Sequence, residues 1–249
     1  MNPDLLVYEA EYEVRAGEID RSGKMTIPSF LQLMQETSLK HIIKLKASIW
    51  DLKESSWVLL AEQLKIFHLP KLGDKIFIRT YPAGVRRIYA YRDYWIYDQN
   101  GNVIATAATT WTLMNLTTRK IVPIPEPIVQ LPVPTEFEKL ELSAMRVPFT
   151  AEDYQTTEFK IGYFHLDWND HVNNIHYTRF MLESVPELLN TSSLTRMDIV
   201  FKGEAMLNEQ LKVHSYYDKI THQSYHKIID EKKKVISMAT FYWEKATDH

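Results

Sequence analysis

The sequence contains no cysteine. This absence excludes disulfides, thiolate nucleophiles, iron–sulfur clusters and cysteine-based zinc sites. An excess of basic charge is also missing, because 29 Lys and Arg residues face 32 Asp and Glu residues, and this argues against a nucleic-acid binder. No apolar run approaches the ~20 residues that span a bilayer, and the start MNPDLLVYEAEYEVR lacks the order of a signal peptide. We therefore expect a cytoplasmic protein that binds neither nucleic acid nor membrane.

The chain has 249 residues, of which 45% are apolar and 24% are charged, enough for one large or two small globular domains. Five of its 11 prolines lie between Pro123 and Pro134. Proline lacks an amide hydrogen and fixes φ, so this stretch is not expected to form a central strand or a helix. We predict an extended linker over 121–150 between domains at 1–120 and 151–249.

The segments on either side of this linker resemble each other at an offset that falls along the chain. The offset is 147 at first and later becomes 135 and then 132. Representative pairs, in that order, are Asp20 with Asp167, Leu72 with Leu207, and Trp111 with Trp243. A falling offset is typical of a duplication in which the second copy has shorter loops.

Each copy is predicted to contain the same elements in the same order. An opening strand, over 12–16 or 159–163, leads through an Asp-containing turn into a helix. The first helix places Phe30, Met34, Thr37, His41 and Leu45 on one buried face, and the second begins near Asn174. Alternating strands follow, with a hairpin turn at Asn100-Gly101 in the first copy. An antiparallel sheet around one long helix, present twice, indicates an α+β tandem (double) hotdog.

Polar residues are densest just before the second helix, where Asp167, Asn169 and His171 alternate. In an extended segment their side chains would project to one side, close to the amides of the helix start. Each residue type alone is common at turns and caps, but the three together predict a site. A zinc site using His165 fits none of the usual spacings, so we predict no metal and no cofactor.

The first copy retains only part of this pattern. Asp20 corresponds to Asp167, whereas Ser22 and Lys24 stand at the positions of the asparagine and the histidine. An aspartate present in both copies suits a structural role such as capping. We therefore expect the site in the second copy only.

The segment LDWNDHVNNIHYTRFMLES resembles the Asp-x-Asn-x-His-Val-Asn-Asn signature of the acyl-carrier-protein (ACP) thioesterases of plant plastids and bacteria. The Phe201-Lys-Gly-Glu204-Ala205 stretch and the two-copy layout are similar to that family as well. The resemblance implies a tandem hotdog that hydrolyses fatty acyl-ACP to fatty acid and holo-ACP. It implies the catalytic residues Asp167, Asn169, His171 and Glu204. Many plant members carry a cysteine directly after that glutamate, but Ala205 stands here, so activity cannot require a thiol.

Thioester hydrolysis is feasible without a cysteine, because the leaving thiol has a pKa near ~8.5 and needs little acid assistance. Glu204 is the expected base or water-holder, and Asn169 and His171 are the expected donors to the oxyanion. Asp167 would either orient these groups or attack directly, and the sequence does not separate the two roles. The alternatives are a hotdog hydratase or dehydratase acting on 3-hydroxyacyl or enoyl thioesters, and a non-catalytic acyl-thioester binder.

The resemblance also implies an acyl channel, which we expect between the helix and sheet of the first copy. Its predicted lining is Trp50, Trp57, Leu59, Tyr89, Tyr91 and Trp95. The carrier protein in this resemblance is acidic, so basic residues near the channel mouth would attract it. The predicted contributors are Arg86, Arg87, Arg92, Arg196 and Lys202. Formation of a homodimer is an open alternative.

Overall fold

The computed structural model describes residues 6–45, 54–140 and 146–245. The chain divides into two compact units, Met1–Leu142 and Ser143–His249. The division falls within the range predicted as a linker, and the predicted bounds of 1–120, 121–150 and 151–249 remain predictions. In the described part of the chain, no helix is long and apolar enough to cross a membrane.

The first unit is an antiparallel sheet with one long helix. Its strands are β1 (Tyr8–Glu13), β2 (Ser55–Ile66), β3 (Lys75–Arg86), β4 (Tyr89–Asp98), β5 (Val103–Asn115) and β6 (Ile121–Val122), and its helices are α1 (Ile27–Lys44) and the short α2 (Glu126–Val129). The strand order is β1-β3-β4-β5-β2, and β6 pairs with β5. The β4–β5 hairpin closes at Gly101, whose φ is 83°, as the Asn-Gly pair predicts.

Helix α1 begins where its sequence provides a cap. The hydroxyl oxygen of Thr26 accepts a hydrogen bond from the Ser29 amide at 3.2 Å, and Pro28 occupies the first turn, where no amide hydrogen is needed. The predicted inner face is confirmed for Phe30, Met34, Thr37 and His41, which are all buried, whereas Leu45 caps the C-terminus of α1 and is only partly buried. Hence the apolar half of α1 is followed by a buried polar half.

The second unit repeats this plan. Its strands are β7 (Gln155–Lys160), β8 (Ser192–Phe201), β9 (Gln210–Asp218), β10 (Gln223–Asp230) and β11 (Val235–Lys245), and its helices are α3 (Asn174–Glu183) and α4 (Pro186–Thr191). The strand order is β8-β11-β10-β9-β7, again antiparallel. Each unit is thus an α+β hotdog, and the predicted tandem arrangement is confirmed. Pro186 begins α4, so the long helix of the first copy is divided in the second.

The opening strands begin and end earlier than predicted. The predictions of 12–16 and 159–163 were wrong by about four residues, because Ala16–Glu18 and Tyr163–His165 form 3₁₀ turns instead of continuing the strands. These turns matter for the site, since they carry the chain from the sheet edge to the start of each helix.

The proline-rich segment contains more regular structure than predicted. The prediction that this segment forms no helix was wrong. Pro127 occupies the second position of the single-turn helix α2, where a backbone amide hydrogen has no partner within the helix. Further along, the ring of Phe137 stacks on Tyr81 with centroids 4.9 Å apart, and the Leu140 amide donates to Asp93 Oδ2 at 3.0 Å. This segment of the first unit therefore covers the face of its sheet that is opposite α1.

The duplication seen in the sequence is also present in the backbone. The Phe67 and His68 amides both donate to Ile104 O, and the Lys202 and Gly203 amides both donate to Ile236 O. These pairs follow the offsets of 135 and 132. The two copies therefore serve as structural controls for each other.

Candidate active site

The predicted site lies in the loop between β7 and α3, which is a tight turn and not an extended segment. The Asp167 amide donates to His171 O at 2.8 Å, Leu166 pairs with Val172, and Asp170 has a φ of 60°. The expectation that alternate side chains project together from an extended chain was therefore wrong. A left-handed residue reverses the chain between Asn169 and His171 instead.

The carboxylate of Asp167 holds this turn together. Its Oδ1 accepts from the amide of Asn169 at 2.8 Å and from the amide of His171 at 3.4 Å. In the first copy, Asp20 Oδ1 accepts from the amides two and four residues further on, at 2.7 and 3.4 Å. The two aspartates thus perform the shared structural role that their presence in both copies predicts.

Glu204 is brought to this turn by a second loop, between β8 and β9. The Ala205 amide donates to the hydroxyl of Tyr177 at 2.9 Å, and Ala205 O accepts from the Val172 amide at 2.9 Å. These two bonds join the loops. They place Glu204 Oε2 3.5 Å from His171 Nε2. Residues far apart in sequence therefore meet in one polar site.

Water has access to this pair. The side chains of His171 and Glu204 are 23% and 30% exposed, so they are neither sealed from solvent nor fully solvated. Asn169 lies in the same turn, and its carboxamide makes no hydrogen bond to any residue in the described ranges. The arrangement thus combines a carboxylate, an imidazole and an amide whose donors are not committed.

Tyr177 is the site residue that the sequence reading missed. It is 1% exposed, and burial raises the pKa of its phenol, which keeps it protonated. Its signal was present in the repeat, where Tyr177 stands in the place of Phe30. The first copy needs no hydroxyl there, because Pro70 replaces Ala205 and has no amide hydrogen.

Two further histidines lie close to the turn. His165 Nδ1 accepts from the Gly162 amide at 3.1 Å, and the His165 and His176 rings have centroids 4.9 Å apart. Burial lowers the pKa of both imidazoles. Across the described ranges, no three His, Asp or Glu side chains are grouped so that they could hold a metal ion.

The predicted channel residues on β4 lie on the wrong face of the sheet. Tyr89, Tyr91 and Trp95 share one face, as alternation predicts, but Trp95 Nε1 donates at 3.1 Å to Tyr81, which lies under the linker. Arg92, on the other face, contacts α1. The expectation that these three line a space between helix and sheet is therefore corrected.

The other predicted lining residues remain predictions. Leu59 is 7% exposed and pairs with Trp111 of β5, and Trp57 is partly exposed on the same strand. Trp50 lies outside the described residues.

Two of the five predicted basic contributors are engaged within the fold. Arg92 Nη1 lies 3.1 Å from His41 Nδ1 and donates to Thr80 Oγ1 at 3.2 Å, which places its guanidinium in the interior. Arg196 makes a two-pronged bond to Asp198. The prediction that Arg92 belongs to a surface patch was therefore wrong, because its guanidinium faces α1. The remaining three, Arg86, Arg87 and Lys202, are exposed.

Comparison with curated proteins finds plant thioesterases. The chain is 26% identical over 218 residues to a chloroplastic palmitoyl-acyl carrier protein thioesterase of Cuphea hookeriana, covering 81% of this chain and 52% of that protein. It is 24% identical over 229 residues to a chloroplastic oleoyl-acyl carrier protein thioesterase of Arabidopsis thaliana, covering 84% of this chain and 63% of that one. The chain spans about half the length of the first of these relatives.

Comparison with solved structures finds the same fold over nearly the whole chain. An acyl-ACP thioesterase of Bacteroides thetaiotaomicron superposes with a TM-score of 0.85 at 20% identity, covering 98% of this chain and 100% of that one. The 12:0-ACP thioesterase of Umbellularia californica gives 0.82 at 19% identity, covering 97% and 98%.

Two family models match the two units separately. The acyl-ACP thioesterase N-terminal domain matches residues 5–131, and the acyl-ACP thioesterase C-terminal domain matches residues 150–245. The second match contains the whole polar site, and the resemblance read from the sequence is confirmed. The chain belongs to the acyl-ACP thioesterase family.

Proposed function

We propose that this protein hydrolyses the thioester of fatty acyl-ACP to a free fatty acid and holo-ACP. The observation that carries the proposal is the meeting of His171 and Glu204 at 3.5 Å in the copy that matches the family's C-terminal domain. The chain has no cysteine, so no thiolate can attack the thioester, and we take the nucleophile to be a water molecule activated by Glu204. The partner is a carrier protein bearing the acyl chain on its phosphopantetheine arm.

The site residues can divide this reaction among them. The carboxylate of Glu204 accepts a proton from water as the water oxygen attacks the carbonyl carbon. The amide of Asn169 and the imidazole of His171 donate hydrogen bonds to the oxyanion that forms. Collapse breaks the carbon–sulfur bond, and the thiolate takes up the proton held by the site. The products are one carboxylic acid and one thiol, and no other reactant is consumed.

Asp167 acts in this proposal as a positioning residue. Its Oδ1 is bound by two backbone amides, and it fixes the turn that carries Asn169 and His171. The aspartate of the first copy makes the same bonds without the other site residues. Both facts support orientation over direct attack by Asp167 on the thioester.

The proposal is tested by free-thiol release from palmitoyl-, oleoyl- and shorter acyl-ACPs. Asn169→Ala, His171→Ala and Glu204→Ala should each lower turnover by ~10²-fold or more, as loss of an oxyanion donor or base does. Each variant should keep the circular dichroism spectrum of the parent, because all three side chains are partly exposed. The matched controls Ser22→Ala and Lys24→Ala, at the same positions of the first copy, should remain nearly as active as the parent.

Two outcomes would contradict the proposal. Hydration of a crotonyl thioester without thiol release would assign the site to a hydratase. Tight binding of acyl-ACP with no product at all would identify a non-catalytic binder. Parallel assays with acyl-coenzyme A show whether the carrier protein or only its pantetheine arm is recognised.

A further inference from the structure

The interior of the first unit contains charged side chains that its fold does not require. Arg92 and Glu62 both stand opposite Thr109, on strands β4 and β2 either side of β5. Directly paired residues of antiparallel strands share a face, and Arg92 contacts His41 of α1. All three strand residues therefore form one polar row on the sheet face that packs against α1.

Across the described ranges, neither charge in this row forms an ion pair. The guanidinium of Arg92 contacts Nδ1 of His41 and donates to the hydroxyl of Thr80. Glu62 is 8% exposed and makes no hydrogen bond or ion pair with a described residue. Burial raises the pKa of Glu62 to about 7 and lowers that of Arg92. Burying the carboxyl group of Glu62 without a partner is unfavourable, so an ordinary core would not keep it.

The second copy shows what the fold itself needs at this row. By the same strand register, Ser224, Phe241 and Met197 occupy the positions of Arg92, Thr109 and Glu62. All three are fully buried, and none carries a charge. One hotdog sheet thus closes over its helix with an uncharged row, while the other contains an arginine and a carboxyl group.

The polar row continues onto the helix and the neighbouring strand. Ser38 and His41 are buried on the C-terminal half of α1. The hydroxyl of Tyr94 interacts with Ser38 and with Thr80. Burial raises the pKa of this hydroxyl, and the charges of Arg92 and Glu62 both act on it. The N-terminal half of α1 and the facing strand positions are apolar by contrast, as Ile78 and Ile96 illustrate. The interior of this unit therefore changes from apolar to polar along α1.

We propose that this polar row is a recognition site for a hydroxyl or oxo group carried by the acyl chain of the substrate. Two strand spacings, ~10 Å, separate the α-carbons of Arg92 and Glu62. A substituent placed between these side chains can accept a hydrogen bond from the guanidinium and exchange one with the carboxyl group. A plain methylene chain would leave both groups unpaired. The proposal rests on the proposed thioesterase function and adds to it the chemical class of the acyl chain.

The test compares dodecanoyl-ACP with its monohydroxylated and oxo counterparts. Sites built to hydrogen-bond a substrate hydroxyl reject the analogue that lacks it strongly. We expect kcat/KM for the best substituted chain to exceed that for the plain chain by ~10-fold or more. Arg92→Ser and Glu62→Met, which install the residues of the second copy, should remove this preference for the substituted chain. The matched control Arg79→Ser, on the opposite face of the sheet, should preserve it.

A binding measurement separates this inference from the function on which it rests. Calorimetry of the unmodified protein with free dodecanoic acid and with its hydroxylated counterparts requires no hydrolysis. If no thioester is cleaved but the hydroxylated acid binds more tightly, the function fails and the recognition site stands. Equal or weaker binding of every substituted chain would overturn the site. So would an unchanged substrate preference in a folded Arg92→Ser or Glu62→Met variant.

Discussion

At the scale of single residues, the site depends on two positions at which the two copies of the repeat carry different residues. The first copy has Phe30 and Pro70 at these positions. Phe30 has no hydroxyl group, and Pro70 has no amide hydrogen that needs an acceptor. The second copy pairs Tyr177 with Ala205, whose buried amide needs an acceptor and finds it at 2.9 Å. This hydrogen bond positions the loop of Glu204. A residue that touches no substrate thus fixes one that is proposed to react.

Tyr177→Phe should therefore weaken both stability and turnover. It leaves a buried amide unpaired, which costs ~1–3 kcal/mol in the free energy of unfolding. It also loosens the loop that carries Glu204. Adding Ala205→Pro reproduces the pair found in the first copy and should recover most of the lost stability. Urea unfolding of the single and double variants measures this, and a double variant less stable than Tyr177→Phe would contradict this explanation.

At the scale of elements, the two copies solve the same turn with different sequences. Asp98 accepts from the amides of Asn100 and Asn102, and Asp230 accepts in the same way from Lys234. The left-handed position is Gly101 in the first turn and Lys233 in the second, where φ is 63°. A lysine is strained in that region, whereas glycine is not.

Lys233→Gly should therefore raise the free energy of unfolding, by ~1 kcal/mol, the lower end of the conformational strain removed. The reverse change, Gly101→Lys, should lower it by a similar amount, since its added Cβ meets no atom within 4 Å and only strain acts. Thermal or urea unfolding of the two variants provides the measurement. Destabilisation by Lys233→Gly would show that the lysine side chain contributes a contact that outweighs the strain.

Much of the element structure could be predicted, because it follows from local periodicity and turn chemistry. The buried face of α1 and the hairpin at Asn100-Gly101 are examples. The conformation of the site loop could not, since a left-handed Asp170 is not encoded by spacing. The sequence also could not predict which face of β4 packs against α1. Alternation shows that Tyr91 and Trp95 share a face, but which face the helix covers is decided by packing.

At the scale of the whole molecule, the duplication has been followed by a division of polar residues. The second copy holds Asn169, His171 and Glu204, where the first has Ser22, Lys24 and Leu69. The first copy instead holds the row of Arg92 and Glu62 on the sheet face that packs against α1, where the second copy is uncharged. Each unit carries polar groups that the other shows to be unnecessary for folding. The proposed reaction therefore uses polar groups of the second unit, and the proposed recognition of an acyl substituent uses polar groups of the first.

The same division gives the two units opposite responses to acid. His226 is fully buried, and burial lowers its pKa to about 3, so acidification favours the unfolded second unit, in which the imidazole can bind a proton. The stability of this unit should fall below pH ~6.5, by up to ~1.4 kcal/mol per pH unit. Glu62 in the first unit has a raised pKa and acts in the opposite sense, since its neutral form suits the folded state. Stability from this group is complete below pH ~4.5 and is lost as the pH rises through about 7.

Hydrogen exchange read by peptide, corrected for its intrinsic pH dependence, should show protection falling in β10 and rising in β2 on acidification. His226→Gln should reduce the first change and leave the second unaltered, and parallel changes in both units would contradict the assignment.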